Sequence, residues 1–123
     1  MIQAKKLYFK YNQEFVLNNI NLEIKEGSFT AIIGANGSGK TTLAKHFNAL
    51  LLPTKGEVII DGLNTKKDEI NVRKKVGFVF KNFEDQLVHS IVEEDVAFGL
   101  ENLGLKYGYI NKIVNETLNR LKI

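Results

Sequence analysis

Cysteine is absent from these 123 residues, which excludes a disulfide scaffold and any thiolate metal site. Proline occurs once, at Pro53, so no proline-rich linker divides the chain, and there is neither an internal repeat nor a low-complexity tract. Long hydrophobic runs are also missing. The longest, such as Ala49 to Leu52 and Val58 to Ile60, fall far short of a bilayer span. No apolar stretch follows a basic N-terminus as in a secretory signal, so a cytosolic location is expected. What remains is ordinary for a globular domain: 44% apolar residues, 25% charged residues and a net charge of +3. The basic residues are scattered except around Lys66-Lys67 and Arg73-Lys74-Lys75, where no aromatics are interleaved. They read as a solvated surface, and no nucleic-acid partner is expected.

Periodicity divides the chain. Ile2 to Tyr11 places Leu7, Phe9 and Tyr11 on one face and reads as a strand; Asn12-Gln13 is its turn. Phe15 to Ile24 reads as a half-buried strand, with Ile20, Leu22 and Ile24 on one face and Asn21 and Glu23 on the other. Ser28 to Ile33 lacks polar alternation and predicts a strand buried on both faces. A glycine-rich loop follows, then a helix to about Leu50. Glu57 to Ile60 is a strand closed by Asp61-Gly62, and Val76 to Phe80 a further apolar strand. Ser90 and Glu93 predict a capping box opening a helix whose apolar face carries Val92, Val96, Leu100 and Leu103 and which ends at Gly104. A last helix shows Ile110, Ile113, Val114, Thr117, Leu118 and Leu121 at helical spacing, a face that needs a partner.

The loop reads Gly34-Ala35-Asn36-Gly37-Ser38-Gly39-Lys40-Thr41-Thr42, which fits the pattern G-x-x-x-x-G-K-[ST]. Three glycines in six positions let the backbone turn several N–H groups toward one anion, and the helix that follows aims its positive end there. Lys40 is expected to reach the β- and γ-phosphates of a nucleotide, and the Thr41 hydroxyl to ligate Mg²⁺. A glycine-rich turn joining strand to helix would look similar in outline, but chance rarely supplies the whole pattern in this context.

The loop, with Asn36 and the doubled Thr41-Thr42, resembles the Walker A motif of ATP-binding cassette (ABC) ATPases. Leu43 to Gly56 and Val76 to Leu105, above all Ile91-Val92-Glu93-Glu94-Asp95-Val96-Ala97-Phe98-Gly99-Leu100-Glu101-Asn102, resemble the ATPase subunit of energy-coupling factor importers of vitamins or cobalt and nickel ions. The resemblance implies an α/β fold: a P-loop core with an N-terminal antiparallel β lobe in residues 1–80, and the start of a helical subdomain in 81–123. It implies ATP and Mg²⁺ as cofactors, held by Gly34, Asn36, Gly37, Ser38, Gly39, Lys40, Thr41 and Thr42, with Tyr11 stacked on adenine. As partners it implies a second ATPase subunit and a membrane transport subunit docked on the segment after Lys81. The location would then be the inner face of the cell membrane.

Two departures stand beside that likeness. Lys81 occupies the place of the family's metal- and water-contacting Gln, with Phe83 where proline is usual; Gln86 lies five positions on. The chain also stops before the family's signature, Walker B, catalytic Glu and switch His, so no catalytic residue is assigned. An ATP-binding fragment without hydrolysis is therefore the alternative to an importer ATPase. A small kinase would need an arginine-rich lid, and Arg73 and Arg120 are the only arginines. Val58-Ile59-Ile60-Asp61 looks like a Walker B strand, but Gly62 follows, and Asp61 is expected to be a turn residue. His46 and His89 lack ligand spacing and are read as surface or packing residues. Asn115-Glu116-Thr117 fits a glycosylation acceptor without meaning in a cytosolic protein.

Overall fold

The computed structural model describes the backbone of residues 1–123 and every side chain but that of Asp85. The chain forms two compact units, Met1–Phe78 and Val79–Ile123.

The first unit is built on strands β1 (Ile2–Tyr11), β2 (Glu14–Ile24), β3 (Lys55–Ile60) and β4 (Leu63–Asn64), antiparallel in the order β2-β1-β3-β4. Helices α1 (Lys40–Phe47) and α2 (Glu69–Lys75) cover it. Ala4, Leu7, Phe9, Leu17, Val58 and Ile60 of the sheet form one buried cluster with Phe47 and Ala49 at the end of α1 and Val72 of α2. Removing these side chains from water is the main stabilising term of the unit.

The sheet is not regular. Ala4 and Leu7 are both buried although three residues apart, which a flat strand with its two-residue period does not allow. A bulge resolves this. Pairing shifts between Ala4↔Leu22 and Leu7↔Ile20, and Lys6 takes φ 46°. The Lys6 N–H donates to Asn21 Oδ1 at 2.8 Å, so an asparagine side chain replaces the interrupted ladder. Asp61 and Gly62, with φ 45° and 83°, close the two-residue β3–β4 hairpin. Asp61 is thus a turn residue, with Lys75 Nζ at 3.7 Å.

Two sequence expectations fail here. Segments 28–33 and 76–80 carry no strand, and Phe29 and Ile33 are 99% and 91% exposed rather than buried. A strand exists only where a neighbour accepts its hydrogen bonds, and both long edges of β1 are taken by β2 and β3. The predicted helix to Leu50 is also shorter. It stops at Asn48, where Ala49 turns left-handed at φ 55° and its carbonyl accepts from Arg73 Nη2 at 2.9 Å.

In the second unit α3 (Val92–Asn102) and α4 (Tyr107–Leu121) form a helical hairpin. Ile110, Val114 and Leu118 of α4 bury against Val96, Ala97, Leu100 and Leu105, so the apolar face of the last helix finds its partner in α3. Val92 and Leu103, expected on the packed face of α3, are half exposed instead. The expected Ser90–Glu93 capping box does not form; the helix begins later, after Ile91, with no side-chain cap. Asp95 reaches back instead, accepting from the N–H groups of Val88 at 2.8 Å and His89 at 3.0 Å. Those donors, His89 first, hold its carboxyl below the usual carboxylate range.

Among the glycines, Gly56 is the least tolerant of an added side chain. It has φ +78°, and an added Cβ would lie 2.0 Å from the Lys6 carbonyl oxygen and 2.5 Å from that of Lys5. Gly56→Ala should cost about 3 kcal/mol or more, because backbone must move. Gly62→Ala, with similar φ but open space, should cost only about 1 kcal/mol. Urea midpoints of the two variants should differ accordingly; equal shifts would show that the bulge can yield.

Candidate nucleotide site

The phosphate loop is assembled from local rules. Ser38 N–H donates to the Ala35 carbonyl at 3.2 Å, closing a turn whose third residue, Gly37, has φ 80° as a type II turn demands. Gly39 then takes φ 90° and caps α1, the Leu43 N–H donating to its carbonyl at 2.8 Å. A side chain at Gly39 would meet Leu17 Cδ2 at 3.1 Å and the Val16 carbonyl oxygen at 3.3 Å. The loop is therefore seated on β2, and only glycine combines that conformation with that approach.

Lys40 Nζ donates to the carbonyls of Gly34 at 2.8 Å and Ala35 at 2.6 Å. Its ammonium is thus bent back over the loop, on the rim from which a phosphate would be grasped. Gly34, Asn36, Gly37 and Ser38 are exposed, and so is Thr41, on the first turn of α1. Gly39, Lys40 and Thr42 are partly buried. This donor set is one ammonium and a run of backbone N–H groups at a helix start. It fits a polyphosphate, to which a loop of hydrogen-bond donors and a point charge are complementary. Mg²⁺ fits too, with the Thr41 hydroxyl as one hard oxygen ligand. This ion takes few protein ligands and completes its octahedron with phosphate oxygens and water. Among the described residues no group of three or more His, Cys, Asp or Glu could hold a metal by itself.

Tyr11 ends β1, half exposed, with its ring edge-on to Phe9 at a centroid distance of 4.9 Å and an interplanar angle of 88°. Phe9 pairs across the sheet with Leu17, the residue that Gly39 nearly touches. Tyr11 lies two residues further along the strand, about 7 Å from Phe9. The sheet thus brings Tyr11 and the loop to the same end of one face.

Sequence reasoning missed the depth of His46. It is fully buried on α1, its Nδ1 2.7 Å from the Thr42 carbonyl and its ring 4.7 Å from that of Phe9. The available signal was its place four residues after Thr42, one helical turn on. Since a carbonyl only accepts, Nδ1 carries the proton, and Nε2 is buried without a partner. His89 is a surface residue, with Nδ1 3.6 Å from Glu94 Oε2 and its ring against Phe98. Lys81 is exposed and lies in the second unit. Gln86 turns its Oε1 back to the N–H of Phe80 at 3.0 Å.

With this geometry in hand, relatedness is informative. The ABC transporter family pattern matches residues 17–123, and the chain belongs to that family. Within it, the chain is similar over its whole length to energy-coupling factor ATP-binding proteins. It is 47% identical to the "Energy-coupling factor transporter ATP-binding protein EcfA1" of Clostridium novyi (strain NT), an alignment covering 100% of this chain and 46% of that protein. With EcfA of Methanocaldococcus jannaschii the identity is also 47%, over 96% of this chain and 44% of the relative. The solved structure of cbiO1 from Clostridium perfringens, described as part of the ABC transporter complex cbiONQ, superposes with a TM-score of 0.82 at 35% identity. That match covers 99% of this chain and 50% of the other. The chain spans about half the length of the relatives it matches. Its α/β fold is the corresponding part of an ABC cassette. No helix among the described residues is long and apolar enough to cross a membrane.

The buried imidazole gives the unit a specific response to acid. Burial lowers the His46 pKa, outweighing the Thr42 and Leu52 carbonyls, which favour the protonated ring. Below about pH 6.5 the unfolded chain takes up a proton that the folded chain refuses. Stability should therefore fall as pH drops from 7 toward 5, and the fall should level off once pH passes the lowered folded value. Denaturant melts across this range should show the slope in the wild type and lose it in His46→Asn. A slope unchanged by that substitution would assign the effect elsewhere.

Proposed function

We propose that this chain is the nucleotide-binding part of an energy-coupling factor importer's ATPase subunit. In the complete assembly, ATP binding and hydrolysis would drive transmembrane transport of a vitamin or metal ion. The carrying observation is the phosphate loop itself: Lys40 poised on the Gly34 and Ala35 carbonyls, with Gly37 and Gly39 in the left-handed region and α1 beginning behind them. On ATP binding the Lys40 ammonium would exchange those carbonyls for the β- and γ-phosphates, with the free N–H groups at the start of α1 available to the anion. Gly34, Asn36 and Ser38 shape the loop, and the Thr41 hydroxyl would hold Mg²⁺. Tyr11, held at the same end of the sheet, stacks on the adenine.

The relatives' names support the transporter part of this reading, and the rest is the proposal's own. Two such subunits pair, and the exposed segment after Lys81 docks on a membrane subunit at the inner face of the cell membrane. A second reading, binding without turnover by this chain, is favoured by Lys81. An ammonium has three donors and no acceptor, so it cannot do what a carboxamide does for a metal and an attacking water.

Calorimetric titration decides the phosphate assignment. Lys40→Ala should lower affinity for ATP about tenfold to a hundredfold while leaving the melting temperature close to that of the wild type. Equal affinities would remove the assignment. Phosphate release by the purified chain should stay at background, since positioning supplies nearly all catalysis of phosphoryl transfer. Turnover that disappears in Lys40→Ala would contradict the second reading.

A further inference from the structure

We propose that His46 is a positioning residue for base recognition, acting through Phe9 on Tyr11; the inference rests on the reading of Tyr11 as the adenine platform. Three rings stand in a row on one face of the first unit. Tyr11 meets Phe9 edge-on at 4.9 Å and 88°, and Phe9 meets His46 edge-on at 4.7 Å and 77°. The far end of the row is anchored to the phosphate side of the site, because His46 Nδ1–H donates to the carbonyl of Thr42 in the first turn of α1 at 2.7 Å. One side chain therefore joins the helix that begins at the phosphate loop to the aromatic pair that ends at the base.

A purely structural role accounts poorly for a histidine here. The ring is fully buried and, in the neutral Nδ1–H form, nothing donates to its Nε2, a cost that leucine or phenylalanine in the same space would not incur. What histidine combines, and those residues do not, is a flat ring for Phe9 and an N–H for Thr42. The hydrogen bond fixes the plane of the imidazole. That plane sets the tilt of Phe9, and Phe9 in turn limits the rotamers of the half-exposed Tyr11. In this arrangement the distance between base platform and phosphate loop is set by packed rings, not left to a flexible strand end.

The test separates base from phosphate by comparing ATP with inorganic tripolyphosphate, both titrated calorimetrically into the full chain. His46→Asn keeps a donor for the Thr42 carbonyl, as Asn115 does for Asn111 on α4 at 2.9 Å, but removes the ring. It should weaken ATP about three- to tenfold and leave tripolyphosphate unchanged. His46→Phe, which restores a ring but not the hydrogen bond that fixes its plane, should recover only part of the loss. Phe9→Leu should reproduce the His46→Asn effect, and it carries the test if His46→Asn fails to fold. In a Tyr11→Ala background, itself about tenfold weaker for ATP alone, His46→Asn should have no further effect. Equal losses for both ligands, or an undiminished His46→Asn effect without Tyr11, would overturn the inference. A Tyr11→Ala variant that binds ATP normally would instead remove the stacking reading. A selective Tyr11 loss with silent His46 and Phe9 variants would remove only the relay.

Discussion

Gly39 lies so near β2 that one added carbon would meet Leu17 Cδ2 at 3.1 Å, and the rest of the first unit is arranged around that approach. The contact pins the start of α1 to the sheet. Because α1 starts there, Lys40 hangs over the loop it follows, and Phe47 and Ala49 at its other end enter the core with Leu7, Phe9 and Val58. The proposed phosphate site and the core packing thus share one helix. Folded domains have only about 5–15 kcal/mol of net stability, so such sharing leaves little room for change at either end.

The glycine-rich loop was legible because its chemistry is local. Positive φ at Gly37 and Gly39, a helix start and a lysine are fixed by neighbours within nine residues. The β1 and β3 strands and the Asp61-Gly62 turn were legible for the same reason. The bulge at Lys6 was not, since nothing in the alternation of β1 announces that Asn21 will take over a ladder bond. Apolar pattern also failed in a second way. It reports that Phe29 and Ile33 favour burial, but burial needs neighbours, and among the described residues none covers these two side chains. At α3 the error was one of competition. Ser90 and Glu93 spell a cap, yet Asp95 collects the N–H groups of Val88 and His89 and the helix starts after Ile91.

Family membership and geometry meet at the loop. The likeness to energy-coupling factor ATP-binding proteins spans the whole chain, while that chain is about half the length of those relatives. On the proposed reading the chain holds the anion-binding half of the chemistry: glycine-shaped backbone, an ammonium, a hydroxyl for a cation and an aromatic at the sheet's end. These are the parts that make a nucleotide stay. On the same reading, the departure at Lys81 would touch the other half, the chemistry of water and metal.

The most direct measurement of the central claim is a two-dimensional amide spectrum of the labelled chain titrated with ATP and Mg²⁺. If the loop grasps the phosphates, the largest shifts fall on residues 34–42, with a second, smaller group around Tyr11. Titration with inorganic tripolyphosphate should reproduce the first group without the second. Shifts confined to residues outside the loop, or none at ATP concentrations that saturate the calorimetric signal, would contradict the account.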